Sequence, residues 1–136
     1  VALAIFALGF ALGNVVQVGS VAMAQSGRVF ELRTYTTNPG RLDALHARFR
    51  DHTMRIFRKH GMSNVGYWSP QDSPLADNML VYVISHPSRE AAANNWKAFG
   101  SDPEWRKVAE ESQRDGRIVA NVDSVFMDAT NYSPMK

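Results

Sequence analysis

Alternate positions of the segment Val29-Phe30-Glu31-Leu32-Arg33-Thr34-Tyr35 bring an acid, a cation and a phenol to one side of an extended strand. Glu31, Arg33 and Tyr35 could together orient a polar ligand, with Glu31 or Tyr35 moving a proton. The plainer alternative is a Glu–Arg pair satisfied on a partly wet sheet, since structural ion pairs are common. His52 falls on the apolar stripe of the following segment, between Phe49 and Ile56. It is a fourth catalytic candidate if it faces a cavity, and a core histidine bonded to a nearby backbone or hydroxyl group otherwise. His86 ends an apolar run and could reach the mouth of a pocket, where Trp68 and Tyr82 could stack on a ligand. These three are the candidate ligand-binding residues. Trp96 and Trp105 have apolar neighbours at helical spacing and read as core, while His46 and His60 read as surface.

Several chemistries are missing from the sequence. There is no cysteine, no HExxH and no pair of histidines four apart, so no metal site is expected. No GxSxG, Walker loop or GxGxxG occurs, which sets aside serine-hydrolase, P-loop and dinucleotide chemistry, and no cofactor is expected. Arg41, Arg48 and Arg55 recur every seven residues as a basic stripe on one helix. With Asp51 four residues before Arg55, they read as a solvated, internally paired face.

The elements that must carry these residues follow from their pattern. Val29 to Tyr35 is a strand with unlike faces, Phe30 and Leu32 on one, Glu31, Arg33 and Tyr35 on the other. Asn38-Pro39 supplies a cap and a first-turn proline for a helix whose face is Leu42, Leu45, Phe49, His52 and Ile56, ending at Gly61. Val65 to Trp68 is a short second strand, followed by a turn-rich stretch from Gln71 to Asn78. Met79 to His86 is apolar almost throughout, as expected of a central strand covered on both sides. Ser88 caps a helix presenting Ala92, Trp96 and Phe99, and Asp102-Pro103 starts another presenting Trp105, Val108 and Ala109. Val122 to Met127 is the last strand. The order is that of an α+β, ferredoxin-like βαββααβ fold: a four-stranded antiparallel sheet with helices on one face.

The 136 residues suffice for one domain with its own core, and a net charge of +2 with acids and bases intermixed argues against a nucleic-acid partner. Residues 1–24 read as a signal peptide, incomplete at its N-terminus: an uncharged apolar run, polar breaks, then Ala22-Met23-Ala24 before a cut at Gln25. A secreted or periplasmic protein of residues 25–136 is expected, with no membrane span once the signal is removed. Helices cover one sheet face only, yet Tyr67, Trp68, Tyr82 and Phe126 are too bulky for a bare surface. The expected solution is a homodimer whose two sheets close into a barrel, with Glu31, Arg33 and Tyr35 turned inside it, away from the helices.

The same residues resemble a known family. Phe30-Glu31-Leu32-Arg33-Thr34-Tyr35 with Pro39-Gly40, Gly66-Tyr67-Trp68, Leu80-Val81-Tyr82 and Ser88-Arg89-Glu90 are similar to features of the NIPSNAP family. So are Trp96-Lys97-Ala98-Phe99, Asp102-Pro103-Glu104-Trp105 and the closing Ala129 to Pro134. The resemblance implies a dimeric α/β barrel, a shape shared with cofactor-free monooxygenases, isomerases, decarboxylases and haem proteins. Asn131 stands where the family resemblance leads one to expect an aspartate. Two functions remain open at this point: a cofactor-free acid–base enzyme of monooxygenase or isomerase type acting on a small organic molecule, or a non-catalytic binding or interaction module.

Overall fold

The computed structural model describes residues 27–136, so the expected leader over residues 1–24 and its cleavage point lie outside the described residues. Four strands form one sheet: β1 (Val29–Thr37), β2 (Ser63–Trp68), β3 (Met79–His86) and β4 (Val119–Met127), in the order β2-β3-β1-β4. Every neighbouring pair is antiparallel. The apolar β3 is central, as its composition requires, because residues of both its faces must be kept from water. Helices α1 (Leu42–Lys59, in three stretches), α2 (Arg89–Ser101) and α3 (Pro103–Ser112) join them. A short 3-10 turn, Leu75–Asp77, precedes β3.

Local signals set two of the helix starts. The Ser88 hydroxyl accepts from the Ala91 N–H at 3.0 Å, and the Asp102 carboxylate accepts from the Glu104 N–H at 2.8 Å with Pro103 behind it. The first helix departs from expectation. Asn38 does not cap it; its amide donates to the Arg117 carbonyl at 3.0 Å instead, and α1 begins only at Leu42. Gly40, at φ +74°, turns the chain between the two and takes Asn38 out of capping range.

A second departure lies inside α1, where Phe49–Thr53 forms a π-turn between the α-helical stretches Leu42–Arg48 and Met54–Lys59. The Met54 N–H reaches back five residues to the Phe49 carbonyl, and the buried Thr53 hydroxyl donates to the Arg48 carbonyl at 3.1 Å. The widened turn takes one extra residue. Thr53 fills the inward position and His52 is exposed, so His52 is not a core histidine; it borders a surface hollow between α1 and α3 with Asp51 and Glu111.

Leu45, Ile56, Phe57, Met62, Tyr82, Ile84 and Ile118 are wholly buried between helices and sheet. Burial of each such side chain is worth about 1.5–3 kcal/mol against leaving it in water. Phe49 meets Tyr35 edge-on at 5.7 Å, Phe57 meets Trp96 at 5.4 Å, and Tyr67 stacks on Tyr82 at 5.1 Å. These contacts settle which face of β1 the helices cover. It is the face of Glu31, Arg33 and Tyr35, contrary to the expectation that this face turns away from them.

The opposite face carries Leu32, Val81 and Val83, half-buried, with Val125 54% and Trp68 55% exposed. The tail beyond β4 folds over one corner of it, so that Phe30 is only 6% exposed. Phe30, Trp68, Met127 and the tail's Ala129 and Met135 enclose a hollow of about 370 Å³. Trp68 lies flat across Gly66, where any Cβ would run into the indole.

Candidate functional site

The alternation of β1 aims Glu31 at the helices, and four other elements or positions aim donors at Glu31. Its Oε1 accepts from Arg33 Nη1 at 2.6 Å and from the Ser124 hydroxyl at 2.8 Å. Its Oε2 accepts from His86 Nε2 at 2.9 Å and Trp96 Nε1 at 2.8 Å. The strand register explains the convergence: Arg33 opposes Ser124, and Val29 opposes His86, which makes both donors diagonal neighbours of Glu31. Trp96 descends from α2 and completes the set. The carboxylate side chain is 1% exposed. Burial alone would push it up, but the hydrogen bonds from His86, Trp96, Arg33 and Ser124 outweigh burial and hold it down to about 2. Glu31 is a fixed anion at neutral pH.

Because a carboxylate can only accept, His86 carries its proton on Nε2, and its buried Nδ1 has no partner among the described residues. His86 is 1% exposed and lies inside the fold, not at a mouth. Arg33 is held by Glu31, with its guanidinium 4.2 Å above the Trp96 ring and 5.6 Å from the Tyr35 ring. Tyr82 donates to the Tyr35 hydroxyl at 3.1 Å, which leaves the Tyr35 proton for another acceptor. Burial first, then the neighbouring Tyr35, raises the Tyr82 phenol well above its ordinary range, so it stays neutral.

Of the residues singled out in the sequence, Glu31, Arg33, Tyr35, Tyr82 and His86 therefore share the layer between sheet and helices. Trp68 sits on the other face of the sheet, and His52 is on the outside of α1. Tyr82, wholly buried, reaches a neighbouring phenol but not solvent. His60, expected at the surface, is half-buried and lies 2.6 Å from the Asp102 carboxylate, which Lys59 also meets at 2.7 Å.

The layer opens to solvent at more than one place: between α1 and the β2–β3 side of the sheet a hollow of about 520 Å³ is lined by Phe49, Met54, Tyr67 and Leu80. Between α3 and β4 a crevice of about 390 Å³ is lined by Tyr35, Arg48, Trp105, Gln113, Arg117 and Val122, among others. Its volume lies within the range of small-molecule sites. It exists because α1 and α3 do not reach across the edge strand, where Val122 is 39% exposed on the helix side.

Arg48 and Trp105 were not among the sequence candidates for this site. The seven-residue spacing places Arg48 on a solvated stripe, yet it is 7% exposed, Arg41 donates to the Ser112 and Gly116 carbonyls, and Arg55 bonds Glu104. The available signal was its position directly before Phe49 and three after Leu45, an inward phase of the helix. Among the described residues no group of three or more His, Cys, Asp and Glu is placed to hold a metal ion, and no helix is long and apolar enough to cross a membrane.

Comparison with known proteins extends these observations. The NIPSNAP family model matches residues 30–134. A NIPSNAP family protein of unknown function from Agrobacterium tumefaciens superposes with a TM-score of 0.70 at 22% identity, over 82% of this chain and 96% of that one. A NIPSNAP-like domain protein from Burkholderia xenovorans gives 0.68 at 18% identity, over 80% and 90% of the two chains. SnoaB, a cofactor-independent oxygenase from Streptomyces nogalater, gives 0.53 at 14% identity, over 80% and 99%. These likenesses establish a common ferredoxin-like fold. Among curated proteins none matches the chain.

Proposed function

The chain belongs to the NIPSNAP family, and from that membership we propose that it is an exported homodimer, each subunit binding a small organic molecule in the crevice between α3 and β4. The observation that carries the reading is the crevice itself: an opening of about 390 Å³ that leads to Tyr35 and Arg48, which the larger hollow over Phe49 and Tyr67 does not reach. Arg33 backs Tyr35, and Glu31 positions Arg33. The local chemistry favours binding over turnover, since Glu31 is committed to four donors and Tyr82 keeps its proton. A second reading, cofactor-free acid–base chemistry of the kind named for the Streptomyces nogalater neighbour, is favoured by one group. The Tyr35 hydroxyl accepts from Tyr82 and can give its own proton to a bound molecule.

Pairing of subunits is supported by the outer sheet face, where Leu32, Val81, Val83, Val125 and Trp68 form an apolar surface with no helix over it. Export is supported by the uncharged segment ending in Ala22-Met23-Ala24. Native mass spectrometry of the full chain purified from its own host tests the reading. We expect the mass of two subunits with a retained small molecule, and N-terminal sequencing beginning at Gln25. Val125→Lys should yield single subunits, and Tyr35→Phe should lower ligand retention. Single subunits at micromolar concentration with nothing bound would refute the proposal.

A further inference from the structure

Arg48 is a buried cation of the crevice whose charge has no counterpart among the described residues. It is 7% exposed, its Nε is shut off from solvent and meets no acceptor among the described residues, and no carboxylate comes within 4 Å of its nitrogens. A guanidinium does not lose its proton near neutral pH, so burial cannot be relieved by neutralising it. Only Nε is closed off in this way; the two Nη groups are left to water or to a ligand, with no fixed counter-charge beside them. The Trp105 ring, 5.4 Å from its guanidinium carbon, offers a π-face but no negative charge. Arg33 makes the contrast, for it is less deeply buried and yet has Glu31 at 2.6 Å.

The charged end of Arg48 reaches toward Trp105, which with Tyr35 lines the crevice. Arg117 lines it as well, and no Asp or Glu does. Asp51, Glu111 and Asp115 border a separate hollow that Arg48 also touches, but none of them pairs with it. The rest of the wall is mixed: Trp105, Ala109, Val119 and Val122 are apolar or aromatic, while Gln113 and Asn121 add neutral amides.

Resting on the crevice as the binding site, we infer that the molecule it takes is a small organic acid, its carboxylate paired with Arg48 and its apolar body against Trp105 and Val122. A planar carboxylate matches the guanidinium fork and can also accept the spare Tyr35 proton. Inorganic oxyanions would leave the apolar walls unused.

The test is titration calorimetry on the full chain with monocarboxylates from acetate to benzoate and naphthoate, each paired with its neutral amide, and with inorganic phosphate. We expect a carboxylate to bind at least tenfold more tightly than its amide, phosphate to bind more weakly than benzoate, and Arg48→Met to abolish the difference between acid and amide. Arg48→Lys should keep part of it. The ligand-free Arg48→Met protein should melt no lower than wild type, because an uncompensated charge has been removed. Equal binding of acid and amide by the wild type would overturn the inference while leaving the crevice as a site. Binding of neither would overturn both. A preference that survives Arg48→Met, a marked fall in melting temperature of that variant, or phosphate binding as tight as benzoate would also defeat it.

Discussion

Replacing Glu31 by glutamine keeps the shape of the side chain and removes its charge, and the consequence can be worked out from the contacts. The carboxyl stands near 4.5 when unconstrained and is held down to about 2 in the fold, a difference of about 2.5 units. At 1.36 kcal/mol per unit this is a contribution of roughly 3 kcal/mol to stability at neutral pH. Because the folded value lies below the unfolded one, the contribution is present above pH 4.5 and is lost as pH falls from there toward 2. A glutamine amide also presents its NH₂ to one of two donor pairs, either Arg33 with Ser124 or His86 with Trp96, so the loss at pH 7 should not fall short of that figure. Urea unfolding at fixed protein concentration, at pH 7 and again near pH 2.5, measures the gap between wild type and Glu31→Gln. Asp102 is also depressed, by hydrogen bonds from Lys59 and His60 first, but it is present in both proteins and cancels in the comparison. We expect a gap of about 3 kcal/mol at pH 7 that closes most of the way near pH 2.5, where the unfolded carboxyl is already protonated and the folded one, at about 2, is beginning to be. A gap that is independent of pH, or one below about 1 kcal/mol at pH 7, would show that the four donors do not act on a charged group.

Two further outcomes follow from packing. His52→Ala should change stability by no more than about 0.5 kcal/mol, since the residue is exposed, whereas the adjacent Thr53→Ala should cost about 1–2 kcal/mol through the Arg48 carbonyl it leaves unbonded; denaturant midpoints decide between them, and reversed magnitudes would place the π-turn wrongly. In Gly66→Ala the new methyl group must displace the Trp68 indole, so iodide should quench Trp68 emission more strongly than in wild type, at a stability cost of about 1–3 kcal/mol, and unchanged quenching would count against the flat indole.

What the sequence discloses here is what is local. Ser88 and Asp102 lie beside the N–H groups they cap, and the apolar run of β3 states its own burial. Alternation in β1 separates two unlike faces correctly, but it does not say what each will meet. A face bearing Glu31, Arg33 and Tyr35 reads as wet, and it becomes dry only because donors 55, 65 and 93 residues away converge on the carboxylate. Of the four bulky aromatics expected on the open face, Tyr67, Tyr82 and Phe126 are on the helix side, and only Trp68 is not. The burial of Arg48 is illegible for a related reason, since a seven-residue recurrence of arginines describes spacing along an axis and not whether each member is roofed by Trp105.

The five residues Phe49–Thr53 hold one residue more than an even winding of α1 would need. Winding the same residues as an unbroken α-helix would rotate everything beyond them by roughly 100° about the axis. Ile56 and Phe57, now wholly enclosed, would be carried toward water, while Arg48 upstream would keep its heading. The two halves of this helix can thus be aimed independently, the earlier one at the crevice and the later one at the interior, and the surplus residue is the joint that permits it.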